Sequence, residues 1–272
     1  MSRVWDQRIV RASHLLSAHG AHEKALRFCI TVLQFQKNLY LHIGSKAFAK
    51  VLTHPAHYTL SERLELRLLL PWFPSYLTML SASAPAPLAS MARQILSRSR
   101  ESWESLLVSY WKAAEANGST VESSFQIIAR GFLQPYAEFL MAQSRHRDEL
   151  SETDSFCPKC RHRPQLAMIR EVGEDLRFSL LCSLCAAVWD HSAMICPNCG
   201  PQAAAQMVYE TDPYADYLSA QGCAACSVYF KIVDLVKEPA AVPSVDELAF
   251  STLDLTMAHM GFRKIEPTFW ND

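Results

Sequence analysis

Glycine is scarce in this chain of 272 residues, with eight in all. A phosphate cradle needs closely spaced glycines so that backbone N–H groups can approach the anion, and no G-x-G-x-x-G or P-loop run occurs. G-x-S-x-G and H-E-x-x-H are also missing, which leaves no nucleophile elbow and no zinc-protease helix. No apolar run approaches the roughly 18 to 20 residues of a membrane span. The opening Met1-Ser2-Arg3-Val4-Trp5-Asp6 has no apolar core of a secretion signal. Charged residues make up only 19% and hydrophobic ones 50%, so a substantial core can form. The expectation is a soluble, cytoplasmic protein with more than one domain and no membrane insertion.

Cysteine, by contrast, is concentrated. Eight of the nine lie between Cys157 and Cys226, as the C-x-x-C pairs Cys157/Cys160, Cys182/Cys185, Cys196/Cys199 and Cys223/Cys226. That spacing lets a tight turn aim two thiolates at one tetrahedral ion, so four pairs make two sites. Disulfides would need an oxidising compartment that nothing at the N-terminus suggests. With four sulfurs per ion no coordination position is left for water, which argues against an open catalytic metal and for a non-enzyme. Cys29, on an apolar helical pattern with Phe28 and Val32, reads as a core residue.

The gaps between pairs repeat, and both halves open with Cys-Pro-x-Cys, as in a tandem duplication of a C-x-x-C, hairpin, C-x-x-C module. Sequential and interleaved pairing differ by only about 0.4 kcal/mol of loop-closure entropy, too little to decide. Sequential pairing has the advantage that each module closes on its own hairpin. Gln165–Glu171 and Leu176–Leu181 are expected strands of the first module, with Trp189 as a lid on its metal. Gln206–Glu210 and Val228–Val236 are expected strands of the second.

Residues 1–150 read as helical. One pattern stops at Gly20, and a second runs from His22 to Ile43. A third, from Ser61, is expected to end at Pro71 and Pro74, with Ser81–Pro87 as a connector. A fourth runs from Leu88 to Ala116 and a fifth from Val121 to Gln143, with Pro135 inside it as a kink. His14, His19, His22, His42, His54 and His57 show no ligand spacing and are expected at the surface or helix ends. Gln143–Phe156 is a polar linker. Near the C-terminus, Pro243-Ser244-Val245-Asp246-Glu247 predicts a capping box with Ser244 as cap and Glu247 as its partner, opening one helix that runs to Gly261. The expected division is 1–150 helical, 151–190 and 191–240 metal-binding ribbons, and 241–272 a C-terminal helix and tail. The fold class is multidomain, all-α followed by small β.

Charge is unevenly distributed: residues 1–150 carry 17 Lys+Arg against 11 Asp+Glu, and 151–272 carry 9 against 16. Within 157–226 there are 5 basic and 7 acidic side chains, a poor match to a nucleic-acid interface. A rubredoxin-type electron carrier would use the same four-sulfur ligation, and tetrahedral thiolates accept iron as well as zinc.

Several segments together resemble the formate dehydrogenase accessory protein family, FdhE. These are Leu181-Cys182-Ser183-Leu184-Cys185 with Trp189, Cys223-x-x-Cys226 followed by Tyr229-Phe230-Lys231-Ile232, and Asp246-Glu247-Leu248-Ala249 through Leu253-Asp254 to Gly261-Phe262. Phe132-Leu133-Gln134-Pro135-Tyr136 is similar to the helical part of that family. The resemblance implies a non-catalytic cytoplasmic factor with a helical domain and two rubredoxin-like or zinc-ribbon modules binding zinc or iron. It also implies a role in maturing molybdenum- or tungsten-dependent formate dehydrogenases by contact with their catalytic subunit. Arg161, where a knuckle usually carries glycine, and Ala193, where a basic residue is expected, depart from the pattern.

Overall fold

The computed structural model describes residues 3–18, 23–45, 60–112, 124–143, 155–200 and 207–268. It divides into two units. The first comprises Met1–Ile9 and Arg27–His146, the second Val10–Leu26 and Arg147–Asp272. The boundary residues expected at Gly20, Asn117-Gly118 and most of the 143–156 linker lie outside the described residues.

The first unit is helical. Helix α1 (Arg3–Ala18) supplies its first turns, followed by α2 (Glu23–Ile43), the short α3 (Leu66–Leu69), α4 (Phe73–Ser83), α5 (Ala86–Leu96), α6 (Arg100–Lys112) and α7 (Ser124–Gln143). On α2 the residues Phe28, Cys29, Val32, Leu33, Gln36, Leu39, Tyr40 and Ile43 are buried, the recurrence of a 3.6-residue period. Phe73 and Tyr76 of α4 pack on Phe132 of α7 with ring centroids 4.8 and 5.5 Å apart. Arg8 stacks over Trp5 at 4.5 Å and donates to both oxygens of Glu138 at 2.9 and 3.0 Å, so the buried carboxylate is paired.

Two helical expectations need correcting here. The α-helix expected from Ser61 does stop ahead of Pro71, but covers only Leu66–Leu69, and both prolines also open the next element, Pro71 a 3₁₀ turn (Leu70–Trp72) and Pro74 α4, where the missing N–H is no loss. The single helix expected from Leu88 to Ala116 is two, broken at Ser97-Arg98-Ser99. The Ser99 hydroxyl accepts the Ser102 N–H at 3.4 Å at the start of α6, and the Trp103 indole donates to the Ile95 carbonyl at 2.6 Å, fastening the corner.

The second unit is built on a seven-stranded sheet: β1 (Pro164–Val172), β2 (Asp175–Cys182), β3 (Val188–Asp190), β4 (Met207–Thr211), β5 (Leu218–Cys223), β6 (Val228–Asp234) and β7 (Arg263–Lys264). The order is β3-β2-β1-β6-β5-β4. The hairpins β1–β2 and β4–β5–β6 are antiparallel, while β1 and β6 join in parallel, Ala167 opposite Ile232. The two ribbons therefore share one sheet rather than standing apart. Strand β7 pairs with the start of β6. Strand β5 was not expected: Leu-Ser-Ala-Gln-Gly-Cys has small and polar residues where strands usually carry branched ones.

The C-terminal helix is also two, α8 (Pro243–Ala249) and α9 (Thr252–His259). Lys231, fully buried on β6, explains the break. Its ammonium donates to the carbonyls of Glu247 (2.8 Å) and Phe250 (2.7 Å) and to Asp254 Oδ2 (2.6 Å), using all three protons and ending α8. The expected capping box is absent. Val242 is the cap residue, its N–H donates to Asp246 Oδ2 at 2.7 Å, and Glu247 turns inward to Gln165 (2.6 Å) and Lys264. A buried carboxylate needs cationic partners more than a helix terminus needs a second cap. Asp246 also pairs with Arg11 of α1 through three contacts of 2.6 to 3.1 Å.

Candidate metal centres

The four knuckles lie at strand ends. Cys157 and Cys160 precede β1, Cys182 ends β2 with Cys185 in the turn beyond, Cys196 and Cys199 follow β3, and Cys223 ends β5 with Cys226 before β6. In each knuckle the residue after the second cysteine turns left-handed: Arg161 (φ 61°), Ala186 (φ 54°), Gly200 (φ 84°) and Ser227 (φ 52°). This reverses the chain so that backbone N–H groups face sulfur, Lys159 N to Cys157 Sγ and Leu184 N to Cys182 Sγ at 3.4 Å, and Asn198 N to Cys196 Sγ at 3.4 Å. Only the third knuckle has the glycine this conformation favours, and Arg161 holds the same backbone shape without it.

The thiols gather in two groups, Cys157, Cys160, Cys182 and Cys185, and Cys196, Cys199, Cys223 and Cys226, with the sulfurs of each within 4.8 Å of one another. This is the sequential pairing. The Sγ–Sγ separations include 3.5 Å (Cys157–Cys185) and 3.3 Å (Cys160–Cys182) in the first group, and 3.8 Å (Cys196–Cys226) and 3.7 Å (Cys199–Cys223) in the second. Four sulfurs each about 2.3 Å from a zinc ion stand about 3.8 Å apart, so the residues present fit a tetrahedral ion. None of the cysteines forms a disulfide. Cys29 lies in the core of the first unit and belongs to neither group.

One sulfur in each group is held below its neighbours in pKa. Burial pushes the Cys157 thiol up, yet hydrogen bonds from Cys160, Cys182 and Cys185 outweigh it and hold Cys157 well below the ordinary thiol value. At Cys223 burial is likewise outweighed, by the N–H groups of Cys226 and Ala225 and the Cys199 thiol. Burial pushes Cys160 and Cys182 up, and Cys196 to about 11. A metal ion entering either group would have to displace protons from the raised thiols.

Other residues around the centres carry no signal at the level of motifs. Arg163, beside the first knuckle, bonds the side-chain oxygen of Asn198 inside the third. Trp189 is buried in β3 opposite Leu180. The Lys231, Lys264, Glu247 and Asp254 cluster, with Tyr229 donating to Asp254 at 2.6 Å, could have been suspected from one feature: Lys231 interrupts a strand that is otherwise apolar on both faces.

Comparison with known proteins gives one family model, "FdhE, C-terminal domain", matching residues 194–269. A protein FdhE homolog of Aquifex aeolicus is 35% identical over 117 residues, 42% of this chain and 41% of the relative. One of Pseudomonas aeruginosa is 26% identical over 205 residues, 72% of this chain and 65% of the relative. The matched segments thus span about two fifths to two thirds of these relatives' lengths. The crystal structure of the FdhE protein from Pseudomonas aeruginosa superposes with a TM-score of 0.69 over 99% of this chain and 96% of that one, at 20% identity, which shows a common fold. The resemblance read from the residues is borne out: residues 194–269 match the FdhE C-terminal domain, and the chain has the fold of an FdhE protein.

Proposed function

We propose that the eight cysteines Cys157, Cys160, Cys182, Cys185, Cys196, Cys199, Cys223 and Cys226 hold two zinc or iron ions, and that the chain is a maturation factor for a molybdenum- or tungsten-dependent formate dehydrogenase in the cytoplasm. The metal-stiffened second unit is the platform for the catalytic subunit of that enzyme. The observation that carries this reading is the pair of closed four-sulfur groups in a chain related to FdhE. Closed groups shape a surface but offer no vacant position for substrate, so the chain binds a client rather than turning over formate.

The test is a strain lacking this chain, complemented with the wild type or with a Cys196→Ser/Cys199→Ser double variant. The variant is expected to capture less catalytic subunit in a pull-down and to leave formate dehydrogenase activity low, while the purified protein turns over no formate. Full activity with the variant would overturn the proposal. A second reading, electron transfer, is favoured by the partial exposure of Cys199 and Cys226, because electrons need a close approach to the metal. Unchanged capture with lost activity would select it. The visible spectrum of protein from its native host separates the metals, since a ferric four-sulfur site is coloured and a zinc site is not.

A further inference from the structure

We propose that the second cysteine group, and not the first, is a modification site for two-electron oxidants of the peroxide class, with Cys199 the sulfur oxidised first. The inference rests on reading both groups as metal sites. One observation is exposure. Cys157, Cys160, Cys182 and Cys185 are all buried, at most 5% exposed, whereas Cys199 and Cys226 reach the surface and Cys199 is the more open. Thiolate oxidation follows accessibility, so a sulfur sealed under protein is spared.

The second observation is charge. Four thiolates around a divalent ion carry a net −2. In the first group this is offset by Lys159, Arg161 and Arg163, all within the knuckle and its exit. From residue 178 to residue 230 the chain contains no lysine or arginine, and it adds Glu210, Asp212 and Asp216, while Asp190 is paired with Arg170 at 2.8 Å. Arg163 reaches the second group's loop, and it does so at the side-chain amide of Asn198. Besides Arg163, Arg263 comes to the second group, its backbone N–H donating to the Ser227 carbonyl beside Cys226, so the second group has fewer cations in its own knuckles than the first and its sulfurs are the more nucleophilic. Hydrogen peroxide is neutral and is not repelled.

The chemistry closes within the group. The Cys199 thiolate attacks one oxygen of hydrogen peroxide; an S–O bond forms, the O–O bond breaks, hydroxide leaves, and the sulfur is oxidised by two electrons to a sulfenic acid. Cys223 Sγ, 3.7 Å away, then attacks that sulfur as a thiolate, forming a disulfide and expelling a second hydroxide. Two thiolates and one peroxide give one disulfide and two hydroxides. Cys196 and Cys226 alone would hold the ion too weakly to keep it. The second centre thereby reports oxidant by giving up its metal while the first keeps the unit folded.

The test uses the wild-type full chain loaded with zinc, its metal content first measured by elemental analysis. Hydrogen peroxide is added, released zinc is followed with a chromophoric chelator, and cysteines are mapped by alkylation and mass spectrometry. One zinc per chain is expected to leave at least about tenfold faster than the other, in line with the dependence of thiolate oxidation on accessibility. A Cys199–Cys223 disulfide should accompany that zinc, and the four cysteines of the first group should stay unmodified until the protein is denatured. Thiol reductant with added zinc should restore the starting content. Equal rates, first oxidation in the first group, or no release would each overturn the proposal. A starting content below two would be seen before peroxide is added and would overturn the metal reading on which it stands.

Discussion

Left-handed backbone after each second cysteine costs a side-chain-bearing residue about 1 to 2 kcal/mol, and glycine much less. Ala186→Gly should therefore raise the stability of the metal-loaded protein by about 0.5 to 1 kcal/mol, and Gly200→Ala should lower it by about 1 kcal/mol, both read from denaturant midpoints. Opposite signs at equivalent positions test the backbone argument without touching a ligand. Lys231 is a sharper case. Burial and the neighbouring Lys264 charge pull its pKa down against the pull of Asp254 and Glu247, so the cluster is balanced only while both acids are present. Asp254→Asn leaves buried positive charge uncompensated and should cost about 3 to 5 kcal/mol. Lys231→Met paired with Asp254→Leu should cost less than the single change, an outcome read from a double-mutant cycle.

At the scale of elements, Gly222 on β5 shows how closely α9 lies on the sheet: a Cβ there would meet Met257 Cε at 2.6 Å and the Phe262 ring at 3.0 Å. Gly222→Val should overpack this contact and lower stability by about 1 to 3 kcal/mol, measurable by thermal melting. The elements differ in how far the sequence reveals them. Strands β1, β2 and β6 and helix α7 follow from apolar runs that the fold buries, and helix α2 from the 3.6-residue recurrence of its buried face. The cysteine groups follow from spacing because ligand geometry is local. The breaks leave no periodic trace. The corner at Ser97-Arg98-Ser99 rests on a Trp103 indole bond to the Ile95 carbonyl, which no apolar period announces, and the end of α8 depends on an ammonium from β6, outside the helix altogether. Strand β5 escapes because its pairing with β4 and β6 outweighs a poor strand composition. The Ser244/Glu247 box fails because its spacing is a local rule that a buried lysine overrides.

At the scale of the whole molecule, the two units should answer alkali and chelation differently. Burial pushes the Cys29 thiol up to about 12, Arg8 only partly opposing it, and raises Tyr76 and Tyr136 as well. These groups stay neutral in the folded first unit but ionise in the unfolded chain above about pH 9 to 10. Their contribution is therefore present below pH 9 and lost as pH rises toward 12, and the helical unit should unfold there, followed by circular dichroism. Cys29 should resist thiol reagents until it does. A strong chelator should instead expose Arg147–Asp272 to protease and, because Val10–Leu26 groups with it, should strip protection from that N-terminal stretch too. The Arg11–Asp246 pair spans 235 residues. On a translating ribosome adding about 5 to 20 residues per second, Arg11 waits on the order of 10 to 50 s before its carboxylate is made, and longer before Asp246 leaves the exit tunnel. The second unit thus cannot close on the nascent chain: its first helical stretch is its last to be secured, and a message truncated short of codon 246 yields a protein whose beginning never finds its end.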